Sequence, residues 1–206
     1  MRSILKRWLG MATLGLAMVG GAAHAANLEN NGGSFSTLSG DFNPTWLTGS
    51  ASVLEQFDLS NLWRGGTLSV TAPVGLQFTL LGFEAGYNNA FVAGGQTLTN
   101  AQGQNAVAGR AFNTEVLAAG VLDFGFLSNS VGGVLGNGST NVGVVMAANQ
   151  QSALLLFNDR YAGDLDFDDM VVYMSITHAP EPAMVSMLLA GLGLVAASAR
   201  RQKRRG

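Results

Sequence analysis

Between residues 26 and 178 no apolar run extends far before Gly, Asn, Ser or Thr interrupts it. Seven segments alternate or stay apolar over strand-like lengths: Ala51–Phe57, Thr67–Thr71, Leu76–Phe83, Val116–Phe126, Val142–Ala147, Ala153–Phe157 and Met170–Ile176. Turn-forming pieces lie between them, among them Asn30-Asn31-Gly32-Gly33, Trp63-Arg64-Gly65-Gly66, Tyr87-Asn88-Asn89, Gly94-Gly95 and Gly136-Asn137-Gly138-Ser139. Short apolar runs cut by such turns cannot build long amphipathic helices, and they predict an all-β domain, a β-sandwich or jelly roll. Thr114–Leu122 has a competing helical pattern, but its neighbours favour strand. The Asn/Gly/Gln-rich stretch 93–111 reads as a long loop or sheet edge. Trp46, Trp63, Phe57, Phe78, Phe83, Phe124 and Phe126 are candidates for the core.

Charge is segregated along the chain. Of 11 basic residues, three lie in the first seven positions and five in the last seven. Only Arg64, Arg110 and Arg160 stand between, against all 13 acids, so residues 8–199 carry a net −10. That balance offers nucleic-acid phosphates no basic patch. The absence of Cys removes disulfides, thiol nucleophiles and thiolate metal sites together.

Both ends read as targeting segments. Residues 1–25 follow the order of a secretory signal peptide: Arg2, Lys6 and Arg7, then an apolar stretch from Leu9 to Gly21. Ala23-His24-Ala25 follows, with small residues where a signal peptidase reads, so cleavage is expected between Ala25 and Ala26. At the other end, residues 179–206 open with Ala179-Pro180-Glu181-Pro182. Proline fixes φ, lacks a donor and pushes the preceding residue towards extended backbone, so this piece should be stiff and non-helical. Ala183–Ala199 then gives 17 uncharged residues, followed by the basic cluster Arg200, Arg201, Lys203, Arg204 and Arg205. As a helix the run would be about 25 Å long, slightly short of the roughly 30 Å hydrocarbon core, a gap that snorkelling Arg and Lys side chains make up. The positive-inside rule keeps the basic end cytoplasmic and places the 26–178 domain across the membrane.

The order Pro-Glu-Pro, short apolar helix, basic cluster, chain end resembles the PEP-CTERM sorting signal of Gram-negative bacteria. The same tail also goes under the label of an ice-binding-protein C-terminal domain, which carries no evidence of ice binding. The resemblance implies an inner-membrane-anchored precursor, exported by the Sec route and handled by an exosortase, a membrane-embedded processing enzyme. It also implies delivery to the cell surface or extracellular matrix and a role in exopolysaccharide or biofilm.

One segment of the domain is site-like. Residues 158–169 hold Asp159, Asp164, Asp166, Asp168 and Asp169 between two apolar segments. If extended, Asp164, Asp166 and Asp168 share one face, while Leu165 and Phe167 point into the core. Carboxylates held so close repel one another unless a cation neutralises them, and Ca²⁺, with six to eight oxygen ligands, suits them. An EF-hand is excluded, because Asp169 stands where Gly is needed and Ser175 where Glu is needed. The competing reading is a solvated acidic hairpin, its charge partly offset by Arg160. The segment Leu154–Ile176 also resembles the end of an uncharacterised β-rich domain of exported bacterial proteins, which implies a calcium-dependent turn and no activity.

Enzyme chemistry finds little support. His24 lies in the leader and His178 beside the linker, no Gly-x-Ser-x-Gly occurs, and zinc ligands are lacking. Gly191-Leu-Gly193-Leu-Val-Ala196 imitates a dinucleotide fingerprint inside the apolar tail, where no strand precedes it. Spacing leaves a glycosidase pair of Glu55 with Glu84 or Glu115 to be tested by geometry. The expectation is a non-catalytic surface or matrix protein without an organic cofactor. The alternative is a calcium-dependent carbohydrate-binding module using aromatics such as Trp46, Trp63 or Tyr87.

Overall fold

A computed structural model of the chain describes residues 26–38, 42, 47, 51–116, 118–130, 132–159, 166–177 and 191–194. The proposed leader, most of the sorting tail, Trp46, Arg160 and Asp164 lie outside the described residues. Residues 191–194 form one helical turn, and among the described residues no helix is long and apolar enough to cross a membrane. All the strands fall in one unit, residues 24–181.

Seven strands form the largest sheet. They are β2 (Ser34–Ser36), β3 (Leu62–Arg64), β12 (Val142–Met146), β13 (Ser152–Phe157), β14 (Met170–Thr177), β5 (Val74–Gly82) and β8 (Ala111–Val116), in that spatial order. Every neighbouring pair is antiparallel. β13 is buried along its whole length, which is why its sequence is a continuous apolar run. Its Ala153, Leu155 and Phe157 enter one core, while Leu154 and Leu156 enter a second. The sheet is thus covered on both faces.

Two smaller antiparallel sheets contribute to the first core. One orders β11 (Val134–Gly136), β10 (Phe124–Ser128), β6 (Asn89–Ala93) and β7 (Gln96–Thr99). The other orders β1 (Leu28–Asn31), β4 (Thr67–Val70) and β9 (Gly120–Val121). Phe91 and Phe126 stand opposite each other in the β6–β10 ladder. Phe126 stacks on Phe157 of the large sheet, with ring centroids 4.7 Å apart and planes 5° apart. The second core is closed partly by the segment between β2 and β3, which supplies Leu47 and Phe57. Phe57 meets Tyr173 edge to face, with centroids 6.2 Å apart.

The all-β expectation holds at the level of class: the described chain is mostly strand, in three antiparallel sheets. Several details differ. Ala51–Phe57 is not a strand; α1 (Ala51–Leu54) is a single helical turn whose last carbonyl accepts the Phe57 amide. The stretch 93–111 takes the edge reading in part: Gly94-Gly95 turns β6 into β7, the edge strand of the four-stranded sheet, and α2 (Gln104–Val107) follows. Val116–Phe126 is broken into the end of β8, the short β9 and the start of β10, with Gly120 at φ 144°. Phe57, Phe78, Phe124 and Phe126 are buried and Phe83 partly so, but Trp63 is 38% exposed at the sheet margin.

Candidate functional site

The acidic segment joins β13 to β14, and its two ends meet. Phe157 pairs with Met170, so the segment 158–169 leaves and re-enters the large sheet at directly paired residues of β13 and β14. At the start of the loop the Asn158 amide donates to the Asn141 carbonyl at 3.0 Å, and the Asn141 Nδ2 donates back to the Asn158 carbonyl at 2.8 Å. One residue on, the Asp159 amide donates to the Asp169 carboxylate at 2.8 Å, tying the entry of the loop to its exit. Near the exit the Glu84 amide donates to the Asp168 carbonyl at 2.9 Å.

Asn89, the first residue of β6, is the tie that sequence reasoning did not find. Its Nδ2 donates to Asp159 Oδ2 at 2.9 Å and to the Asp169 carbonyl at 3.3 Å. The Asn89 backbone is itself pinned: its amide donates to Asn100 Oδ1 at 2.8 Å, and its carbonyl accepts from the Asn100 amide and the Thr99 hydroxyl. The Ser130 hydroxyl closes the other side by donating to the Asp159 carbonyl. Side chains of the four-stranded sheet and its flanking loop therefore hold the acidic loop of the seven-stranded sheet.

The described ends of the segment are buried rather than solvated. Asp159 is 1% exposed, Asp168 2% and Asn89 fully buried. Nor is the segment 166–168 an extended strand. Phe167 has φ +59°, a left-handed conformation, and so Phe167 and Asp168 are buried side by side instead of alternating. Asp166 and Asp169 are half-buried. Arg64 lies over the Phe167 ring, 5.0 Å from its centroid, so a positive charge stands at this loop that local sequence does not supply.

The fit to a cation is specific and partial. Asp159 Oδ1 and Asn89 Oδ1 are both buried and accept no hydrogen bond. Two bare acceptor oxygens, on side chains already bonded to each other, are what a hard cation requires of a protein. Yet among the described residues no three Asp, Glu or His side chains stand close enough to hold a metal together. The four described aspartates of the segment are thus not gathered into one carboxylate cage, and Asp164 lies outside the described residues. A cage drawn from the described residues would need amide, backbone or water oxygens beside Asp159.

Both glycosidase pairs share Glu55, with Glu84 and Glu115 as its alternative partners. Glu115 stands opposite Gly75 near the start of β5, whereas Glu84 follows the end of that strand at Gly82. At ~3.3 Å per residue these two are at least about 23 Å apart along the sheet, so at most one of them can stand within the ~5–9.5 Å of Glu55 that glycoside hydrolysis uses. Glu55, Glu84 and Glu115 are all exposed.

Comparison with known proteins assigns the C-terminus. The PEP-CTERM protein-sorting motif matches residues 178–205. The motif covers Pro180, Glu181 and Pro182 and the basic cluster, and it implies an exported, membrane-anchored precursor of a Gram-negative bacterium, processed by an exosortase-type enzyme. No curated protein and no solved structure matches the chain.

Proposed function

We propose that this chain is a non-catalytic cell-surface or extracellular-matrix protein whose β-sandwich domain is built into exopolysaccharide or biofilm. The observation that carries the reading is the sorting motif at residues 178–205, since processing by an exosortase-type enzyme needs a cargo destined for the cell exterior. The leader with its cleavage point between Ala25 and Ala26, and the helix 183–199, complete the proposed route: Sec export, anchoring in the inner membrane, processing and release. Localising a tagged chain with and without Pro180–Pro182 tests it. The intact chain should reach the surface or matrix in processed form, and the deleted one should stay in the membrane fraction. Unchanged distribution and processing would defeat the sorting reading.

A second proposal concerns calcium at the acidic loop, and it is supported by the bare Asp159 Oδ1 and Asn89 Oδ1. These two would supply oxygens to the ion, with Asp166, Asp168 and Asp169 as the other described carboxylates of the segment and Asp164 a candidate from the sequence alone. The ion would offset their repulsion and brace the loop in a domain that has no disulfide. Binding to the folded state alone stabilises by about 2.7 kcal/mol at 100 times the dissociation constant, and less at the weak affinities of ~10⁻⁴–10⁻³ M common in extracellular modules. Millimolar calcium should therefore raise the melting temperature above its value in chelator. Changing Asp159, or Asp166 with Asp168, to Asn should remove most of that rise. Superimposable melting curves would dismiss the ion.

A further inference from the structure

At the opposite end of β12 from the acidic loop, an open groove of about 770 Å³ runs between the edge of the three-stranded sheet and the margin of the large one. One wall is β1 with the Gly32-Gly33 turn, and the other is Asn61, Trp63 and the end of β12 from Met146 to Gln150. We infer that this groove binds a short segment of a neutral polysaccharide, with Trp63 as the stacking platform. The inference rests on the matrix reading above and gives it a site.

Three observations carry it. Trp63 is 38% exposed, although its strand neighbour Leu62 is fully buried in the second core. Phe35, 55% exposed, meets Trp63 edge to face with centroids 5.9 Å apart and enlarges the same apolar surface. An exposed aromatic pair is the informative departure from ordinary burial, and the electron-rich ring face suits the C–H side of a sugar ring. Beside Leu28, Met146 and small residues the lining carries the amides of Asn31, Asn61 and Gln150; Asn31 Nδ2 already donates to Ser69 and Asn61 Nδ2 to Asp58, which leaves their carbonyl oxygens and second N–H groups for hydroxyl recognition. Among the described lining residues Glu29 is the one charged residue, and no basic residue joins it. That chemistry turns away phosphates and acidic polymers and favours an uncharged, hydroxyl-rich ligand. With a single carboxylate in the lining, the groove has the means to hold a glycan and lacks the acid pair to cleave it. An extended peptide adding to β1 is the other conceivable occupant. The Leu28 amide already donates to the Gln150 carbonyl at 2.9 Å, so the row of main-chain groups such a strand would need is interrupted.

The test is titration of the full chain with cellohexaose, maltohexaose and xylohexaose, with polygalacturonate as a charged comparison, read by tryptophan fluorescence and calorimetry. At least one neutral oligosaccharide should bind saturably, and polygalacturonate should not. Trp63→Ala should weaken binding at least tenfold, and Trp63→Phe should restore it to within about threefold of wild type. Gln150→Gly provides a variant that leaves the fold in place, because Gln150 has φ +57°, a conformation glycine accepts freely. It should weaken binding a few-fold with an unchanged melting temperature. Oligosaccharide binding untouched by both Trp63→Ala and Gln150→Gly would overturn the groove and leave the matrix reading standing. No saturable response to any of the probes would overturn the inference too, while matrix localisation would still decide the sorting reading separately.

Discussion

Replacing Asn89 by Ala isolates the tie between the four-stranded sheet and the acidic loop. The side chain is fully buried, and its Nδ2 is the donor to Asp159 Oδ2 at 2.9 Å. Truncation leaves the Asn89 main-chain bonds to Asn100 and Thr99 in place, so the strand start is not itself undone. What is lost is a hydrogen bond to a buried carboxylate, about 1.5–3 kcal/mol, with a smaller share from the longer 3.3 Å bond to the Asp169 carbonyl. A total of about 2–3 kcal/mol is expected. At roughly 2–4 °C per kcal/mol for a chain of this size, the melting temperature should fall by about 5–10 °C. Thermal unfolding followed by circular dichroism, repeated in denaturant, reads the change. Asn88→Ala, one residue earlier and exposed, is the comparison and should stay within about 0.5 kcal/mol of wild type. The double variant Asn89→Ala/Asp159→Ala should cost less than the sum of the singles by about 1 kcal/mol or more, because both remove the same bond. Strict additivity, or an Asn89→Ala chain as stable as wild type, would refute the reasoning that this amide fastens the loop.

Three further outcomes are expected. Phe126→Ala removes the ring stacked on Phe157 between two sheets and should destabilise by about 3–5 kcal/mol in equilibrium unfolding; a cost under about 1 kcal/mol would mean the rings are not packed as described. Asn137 accepts the Leu68 amide and donates to the Leu68 and Leu122 carbonyls, all at 2.8 Å, so Asn137→Asp, which loses both donors, should cost about 2 kcal/mol while Asn137→Gln fails to restore the geometry. The Ser60 hydroxyl, and then its amide, hold the exposed Asp58 carboxyl below its usual value of 3.8. A depressed folded-state value stabilises above the unfolded value and is lost as pH falls through the folded one, so the turn before β3 should stay ordered at pH 5 and loosen only below 3.8; an NMR titration of Asp58 midway at or above 3.8 would contradict this.

How much of this was legible depended on whether a signal was local. β4, β5, β12, β13 and β14 match segments that alternation or apolar runs mark out, and β13 could be read as doubly covered from its own residues. Ala51–Phe57 misled because a short apolar run fits a helical turn as well as a strand, and only contacts with the second core decide. β7 was hidden because in Gln96–Thr99 only Leu98 is buried, too little to register as alternation. Carboxylate density pointed to the right segment and Phe167 enters the second core as its sequence suggests, yet its left-handed backbone buries Asp168 beside it. Asn89 lies far upstream in a doublet of asparagines, and nothing about the doublet distinguishes a fastening residue from a turn residue. The cross-sheet bond exists only once the fold has brought β6 to the loop. Trp63 was legible as an aromatic and illegible as an exposed one, since its place on a marginal strand follows from sheet order alone.

The order of elements at the C-terminus constrains how sorting and folding fit together. β14 ends at Thr177, three residues before Pro180, and it is an interior strand of the seven-stranded sheet, paired on one side with β13 and on the other with β5. Its Met170, Val172 and Met174 belong to the first core and Val171 to the second. A cut upstream of Thr177 would strip a strand from between two partners and expose both cores. Processing at the sorting motif, by contrast, starts where the strand has ended and where proline already forbids its extension. The loop carrying Asp159 to Asp169 lies at the far end of the same strand, so whatever fastens that loop also fastens the strand nearest the motif. Among the described residues both cores are built wholly upstream of the motif, so removing residues 178–205 takes no described core residue with it.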